Sequence, residues 1–119
     1  MPRKKMLRVE PWPAYDRETD YPLSVLSVKW GADGKSLVVK LVHLAEPQLG
    51  RSVELILSLP VRPEGLAASF LRAAGKEVVV NGELDPTEAR GAIVLARFGM
   101  KPDGGGDPVE FMAQKEATK

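Results

Sequence analysis

The spacing of the apolar residues changes within residues 51–75, RSVELILSLPVRPEGLAASFLRAAG. Between residues 51 and 59 an apolar side chain recurs at every second position (53, 55, 57 and 59), which predicts a strand with one buried face. Beyond residue 60 the spacing becomes that of a helix, because Leu66 and Phe70 lie four residues apart and Gly75 is suited to the helix end. We therefore expect a third strand over 51–59 and a short helix over 63–75.

Two strands are predicted before this segment and two after it. Residues 22–30 and 36–45 are apolar runs separated by a glycine-containing turn. The alternation in the first run changes phase after Val25, which a β-bulge or a two-sided strand would explain. The second run is apolar at both parities, so we expect it to be central and largely buried. Residues 91–100 and 109–113 predict the fourth and fifth strands, joined by a glycine-rich loop.

Residues 76–90 are less regular. Residues 78–80 are three consecutive valines, typical either of a short strand or of a hydrophobic plug in a loop. Asn81-Gly82 predicts a turn, and residues 85–88 predict a second turn or a single helical turn.

The order of elements predicts a mostly-β fold. A helix inserted between the third and fourth of five strands is the arrangement of the five-stranded OB-like barrel, which we expect here. The alternative is an open sheet with the helix packed on one face, an α+β layout. We assign residues 1–20 to a flexible, basic and proline-containing arm, 21–114 to the OB-like domain and 115–119 to a frayed tail.

Composition argues against several functional classes. The chain has 119 residues, a formal net charge of +1, no cysteine and one histidine, His43. One histidine without cysteines cannot assemble a typical zinc or iron site, and neither a nucleophile elbow nor a phosphate-binding loop is present. We expect a non-enzymatic protein without a cofactor or metal. No apolar run is long enough to cross a bilayer and no signal peptide is evident, so we expect a cytoplasmic protein without a membrane partner.

Several cations stand beside aromatic residues at strand ends. Single-stranded nucleic acid is bound by grooves that combine cations for the phosphates with aromatic faces for the bases. The candidate binding residues are Lys29, Trp30, Lys35, Lys40, Arg51, Arg97, Phe98 and Lys101. Each residue has an alternative interpretation. The cations would then lie on the solvated face of a sheet, and Trp30 and Phe98 would be core residues in phase with their apolar neighbours.

The turn glycines and apolar runs of this chain follow one another in an order that resembles that of a known protein family. They are Tyr21-Pro-Leu-Ser-Val25, Gly34-Lys-Ser-Leu-Val-Val-Lys-Leu41, Leu49-Gly-Arg-Ser-Val53, Phe70-Leu71 with Ala73-Ala-Gly75, Gly82-Glu-Leu-Asp-Pro86, and Gly91. In these landmarks the chain resembles a phage-associated family of small single-stranded-DNA-binding-like proteins. The resemblance spans about residues 21–114, and its most specific element is the Gly50-Arg51 pair at the start of the third strand. It implies an OB-type fold and binding of single-stranded DNA.

Two functional hypotheses follow. The first is a sequence-tolerant single-stranded-DNA-binding protein of phage or mobile-element type, with DNA favoured over RNA as the partner. The second is a non-enzymatic protein-interaction or assembly module built on the same barrel, since such barrels serve many roles. Homo-oligomerisation is left open by the sequence.

Overall fold

The computed structural model describes residues 7–100 and 106–113. Within these residues the structure contains five strands, one α-helix and one short 3-10 helix. They are β1 (Tyr21–Trp30), β2 (Ser36–His43), β3 (Ser52–Ser58), α1 (Leu66–Ala73), the 3-10 helix (Pro86–Ala89), β4 (Ile93–Met100) and β5 (Gly106–Ala113). The predicted mostly-β class and the position of the helix between the third and fourth strands are confirmed. The valines at 78–80 lie in a loop and not in a strand.

The five strands form one antiparallel sheet in the order β3-β2-β1-β4-β5. The second strand lies between two neighbours, as its apolar sequence predicts, although the middle position belongs to β1. The register of β1 against β2 shifts between Val25 and Ser27, which confirms a bulge at the predicted phase change. The bulged residue, Leu26, is 50% exposed, because the extra residue has no partner opposite it.

The sheet is not closed within the described residues, so the predicted barrel is not confirmed. Helix α1 packs mainly on β5 and also contacts β3, and thus touches both edge strands. The hydroxyl of Ser69 accepts from the Phe111 amide and donates to the Phe111 carbonyl, both at 3.1 Å. The helix therefore satisfies backbone groups of β5 that a closing strand would otherwise pair with.

The core lies between α1 and one face of the sheet, which we call the inner face. Side chains alternate across each strand, so the same residue parity is buried along a strand. On β2, for example, Leu37, Val39 and Leu41 are each no more than 1% exposed. Phe70 of α1 is fully buried and meets Phe111 of β5 edge to face, with ring centroids 5.3 Å apart.

The structured part of the chain begins before residue 21. Tyr15 is only 3% exposed and belongs to the core, although residues 1–20 were predicted to be an arm. The predicted boundary at residue 20 is therefore wrong, because an isolated tyrosine between prolines and charges carries no periodic signal. Residues 1–6, most of the basic part of the predicted arm, lie outside the described residues, as does the predicted tail at 115–119.

Candidate functional site

Lys29 and Lys40 share the outer face of the sheet, the face opposite the core. Lys29 of β1 stands opposite Val38, and Lys40 of β2 stands opposite Ser27, which makes the two lysines diagonal neighbours. Both side chains are exposed, and neither ammonium group takes part in a hydrogen bond or ion pair with the described residues. This pair of cations is therefore available to an anionic ligand.

Lys35 is a third exposed cation, in the turn between β1 and β2. The turn is closed by Asp33, whose carboxylate accepts from the Lys35 amide at 2.9 Å. The Lys35 side chain is exposed, and no partner for its ammonium group lies within the described part of the chain. We call Lys29, Lys35 and Lys40 the hairpin lysines.

One carboxylate reduces the positive charge of this surface. Glu54 of β3 stands directly opposite Lys40, on the same outer face and exposed. No ion pair joins them, so both remain free to respond to a ligand. The row from Ser27 through Lys40 to Glu54 therefore carries no net charge, and the local excess comes from Lys29 and Lys35.

Trp30 lies on the opposite side of the sheet from Lys29. It stands across from the buried Leu37, which places it at the inner-face end of β1, yet it is 56% exposed. The expectation that Lys29 and Trp30 form one cation–aromatic pair is wrong, because successive residues of a strand point to opposite faces. This exposure shows that Trp30 is a surface aromatic residue and not a core residue.

The exposed indole borders a cleft of about 560 Å³. Its lining includes the apolar residues Leu37, Leu59 and Leu71, the loop from Val78 to Leu84, and the cation Arg62. The Leu59 amide donates to the Lys35 carbonyl at 2.9 Å, which places the turn carrying Lys35 beside the cleft. Lys35 and the cleft thus lie at the same end of the β1–β2 hairpin. Arg62 and Asn81 in this cleft carry no sequence signal beyond loop composition.

Arg97 and Phe98 do not form a binding pair. Phe98 is fully buried and stacks on Tyr15, with ring centroids 4.0 Å apart, so it offers no face to a base. Arg97 points to the outer face and donates from Nε to the Asp20 carboxylate at 2.6 Å. The carboxylate of Asp20 raises the pKa of Arg97 above its usual value. The prediction for Phe98 is therefore wrong, and Arg97 is already paired. Lys101 lies outside the described residues.

Arg51 holds the N-terminal segment in place. Its Nη1 donates to the Pro13 carbonyl at 3.2 Å and to the Gln48 side chain at 3.0 Å. The guanidinium carbon lies 4.5 Å from the centre of the Tyr15 ring. Arg51 directly follows the β2–β3 turn, at the end of the hairpin away from Trp30. These contacts assign Arg51 a structural role and separate it from the hairpin lysines.

The partner of this segment inside the core is His43. Its Nε2 lies 2.7 Å from the Tyr15 hydroxyl, and its ring is 1% exposed. Burial, with a smaller contribution from Arg51, lowers the pKa of His43 to about 4. Burial likewise raises the pKa of Tyr15. The described residues contain no group of three or more metal-binding side chains, and His43 acts here as a neutral hydrogen-bonding core residue.

Within the described residues no helix combines the length and the apolar character needed to cross a membrane. No protein-family model matches the chain, and none of the curated proteins matches it significantly. The candidate site therefore rests on its own geometry.

Proposed function

We propose that this protein binds single-stranded DNA, with little sequence preference, through the hairpin lysines: Lys29 and Lys40 on the outer face of β1 and β2, and Lys35 in the turn between them. The observation that carries the proposal is the grouping of three exposed lysines whose ammonium groups have no partner among the described residues. A single strand is held chiefly by cations along its phosphates, and such contacts tolerate any sequence.

The fold adds support of a coarser kind. We propose that the open sheet is a variant of the OB barrel, which agrees with the place of the helix between β3 and β4. In OB-type folds the face of strands 2 and 3 and the loops joining strands 1–2 and 4–5 bind oligonucleotides. Lys40 lies on that face, and Lys35 lies in the first of those loops. The resemblance to phage-associated single-stranded-DNA-binding-like proteins points to the same ligand.

Titration of a labelled oligothymidine at two salt concentrations tests the proposal. Changing Lys29 or Lys40 to alanine should weaken binding and reduce the salt slope by about 0.7, the value per single-strand phosphate contact. Stability should be unchanged, because both side chains are exposed. Arg17→Ala is the matched control: it removes the same charge from an exposed residue that precedes β1, whereas Trp30 is the last residue of that strand.

Glu54→Gln gives the opposite sign in the same assay. Removing the carboxylate that faces Lys40 should strengthen binding at low salt. The proposal is overturned if the wild-type protein binds no single strand at the lowest salt, or if the lysine variants bind like Arg17→Ala.

A second candidate function, a protein-interaction module, is supported by one specific observation. Beside the cleft Val79 and Val80 are 56% and 67% exposed, close to the exposed Trp30. Exposed apolar groups that adjoin one another are typical of protein-binding surfaces. Failure to bind any single strand would favour this second function.

A further inference from the structure

The cleft beside Trp30 has the chemistry of a site for one planar, polar-edged ring. Leu37 and Leu71, at most 1% exposed, contribute to its lining from the core. A volume of about 560 Å³ lies within the range of small-molecule sites. The half-exposed indole of Trp30 provides a flat surface at the border of this space. We propose that the cleft receives one unpaired base of the bound single strand, a proposal that rests on the proposed function.

The polar group suited to a base edge is Asn81. Its backbone is in the left-handed region, with φ 64°, in a turn closed by the Gly82 amide donating to the Val79 carbonyl at 2.9 Å. An asparagine amide carries donors and an acceptor together, which matches the edge of any base. Asn81 lines the cleft that Trp30 borders, so stacking and edge recognition are available in one place.

Charge around the cleft favours an anionic strand over a neutral apolar ligand. Arg62 lines the cleft, and Lys35 lies in the adjoining turn, where its carbonyl accepts from the amide of Leu59, another lining residue. These two cations are placed to bind phosphates that flank an inserted base. Glu83, also in the lining, is the opposing charge there, and it can accept from the amino group of a base.

The cleft is separate from the outer face that carries Lys29 and Lys40. Trp30 belongs to the inner-face parity of β1, so a strand lying on the outer face must pass around the Gly31–Lys35 turn to reach it. The outer face would supply sequence-tolerant phosphate contacts, whereas the cleft would sense whether a base is present. This division makes the two sites separable by experiment.

The test uses the full chain carrying Trp12→Phe, which leaves Trp30 as the sole indole. Oligothymidine is compared with an abasic oligonucleotide of the same length and charge. We expect oligothymidine to quench Trp30 fluorescence and to bind about 5- to 150-fold more tightly than the abasic strand, the range that base stacking on an aromatic side chain gives. The abasic strand should bind without quenching.

Substitutions in the cleft provide the second measurement. Trp30→Ala should weaken oligothymidine to the affinity of the abasic strand while leaving the melting temperature and the salt slope nearly unchanged. Val109→Ala is the control, because Val109 is an equally exposed apolar residue, 61% accessible, on the distant strand β5. Asn81→Ala should weaken oligothymidine binding less than Trp30→Ala does, because it removes the edge hydrogen bonds and leaves the stacking surface.

The outcomes distinguish the two proposals. Equal affinity for the intact and abasic strands, with no quenching, would overturn the base site and leave the hairpin lysines as the binding surface. Binding of neither strand would overturn both. Quenching by an apolar peptide in the absence of any oligonucleotide quenching would also overturn the base site and assign the cleft to a protein partner.

Discussion

Tyr15 and His43 lie 28 positions apart in sequence and meet in the core through a hydrogen bond of 2.7 Å. Tyr15 also stacks on Phe98 and lies beneath the Arg51 guanidinium, so a single side chain attaches the N-terminal segment to β2, β4 and the β2–β3 turn. Tyr15 therefore anchors the N-terminal segment together with the hydrogen bond from Arg51 to the Pro13 carbonyl.

The buried His43 makes stability depend on pH. Its pKa is lowered from 6.5 to about 4 on folding, so the unfolded chain binds the proton more readily. The contribution of neutral His43 to the free energy of unfolding should be present above pH 6.5 and should be lost as the pH falls toward 4. About 2 kcal/mol should be lost between pH 7 and pH 5. Urea unfolding at these two pH values measures the loss. In His43→Gln most of the difference should vanish, because no other histidine is present; an unchanged pH dependence would contradict this account.

Strand β3 shows how one element divides its residues between two faces. Leu57 is 3% exposed on the inner face, whereas its neighbour Ile56 is 65% exposed on the outer face. Leu57→Ala should lower the free energy of unfolding by about 2–5 kcal/mol, since it leaves a cavity in the core. Ile56→Ala should change it by less than about 1 kcal/mol, and chemical denaturation measures both. Similar losses for the two variants would mean that the assigned faces of β3 are wrong.

The N-terminal segment is an element in its own right, although it contains no regular structure. Tyr15→Ala should cost about 3–5 kcal/mol of stability, like other truncations of buried aromatic residues. Deleting residues 2–12 should leave the melting temperature nearly unchanged, since the described part of that stretch, from Leu7 on, is exposed. Thermal unfolding of both variants checks this contrast. A large loss in the deletion would show that stability also depends on residues before Pro13.

At the scale of the whole molecule, stability is concentrated in the middle of the sheet. Residues around Leu23 pair on both sides of β1, and β2 is flanked by β1 and β3. Residues 77–84, by contrast, have few backbone hydrogen bonds: the one described is donated by the Gly82 amide to the Val79 carbonyl. Local opening is easiest where such bonds are few.

Hydrogen exchange followed along the chain should therefore show slow amides in β1 and β2 and fast amides at 77–84. Bound oligothymidine should slow exchange in the β1–β2 turn and at residues 78–82, the two segments that border the cleft. Protection confined to β5 would contradict both the hairpin surface and the cleft.

The five strands, the change of phase after Val25 and the helix before Gly75 could be predicted from the sequence, although residues 106–108, expected in the loop, belong to β5. Each depends on a local signal: alternation over a few residues, a change of phase, or a glycine at the end of a helix. The structure gives that glycine, Gly75, a positive φ of 89°. The sequence also identified the exposed lysines of the hairpin as binding candidates, because charged residues on a strand seldom enter a core.

Tertiary structure alone decided which candidates lie together. Pairing of Lys29 with Trp30, and of Arg97 with Phe98, followed from adjacency in sequence, but adjacent strand residues face opposite ways. The features that could not be predicted are long-range contacts. Tyr15 and Phe98 are buried together in the core, and Arg97 pairs with Asp20 across 77 positions. The 78–84 loop likewise approaches Trp30. Such contacts have no local signature, since they depend on how the sheet and helix pack. The sequence by itself determined the elements and the available charges, and the packing determined the cleft.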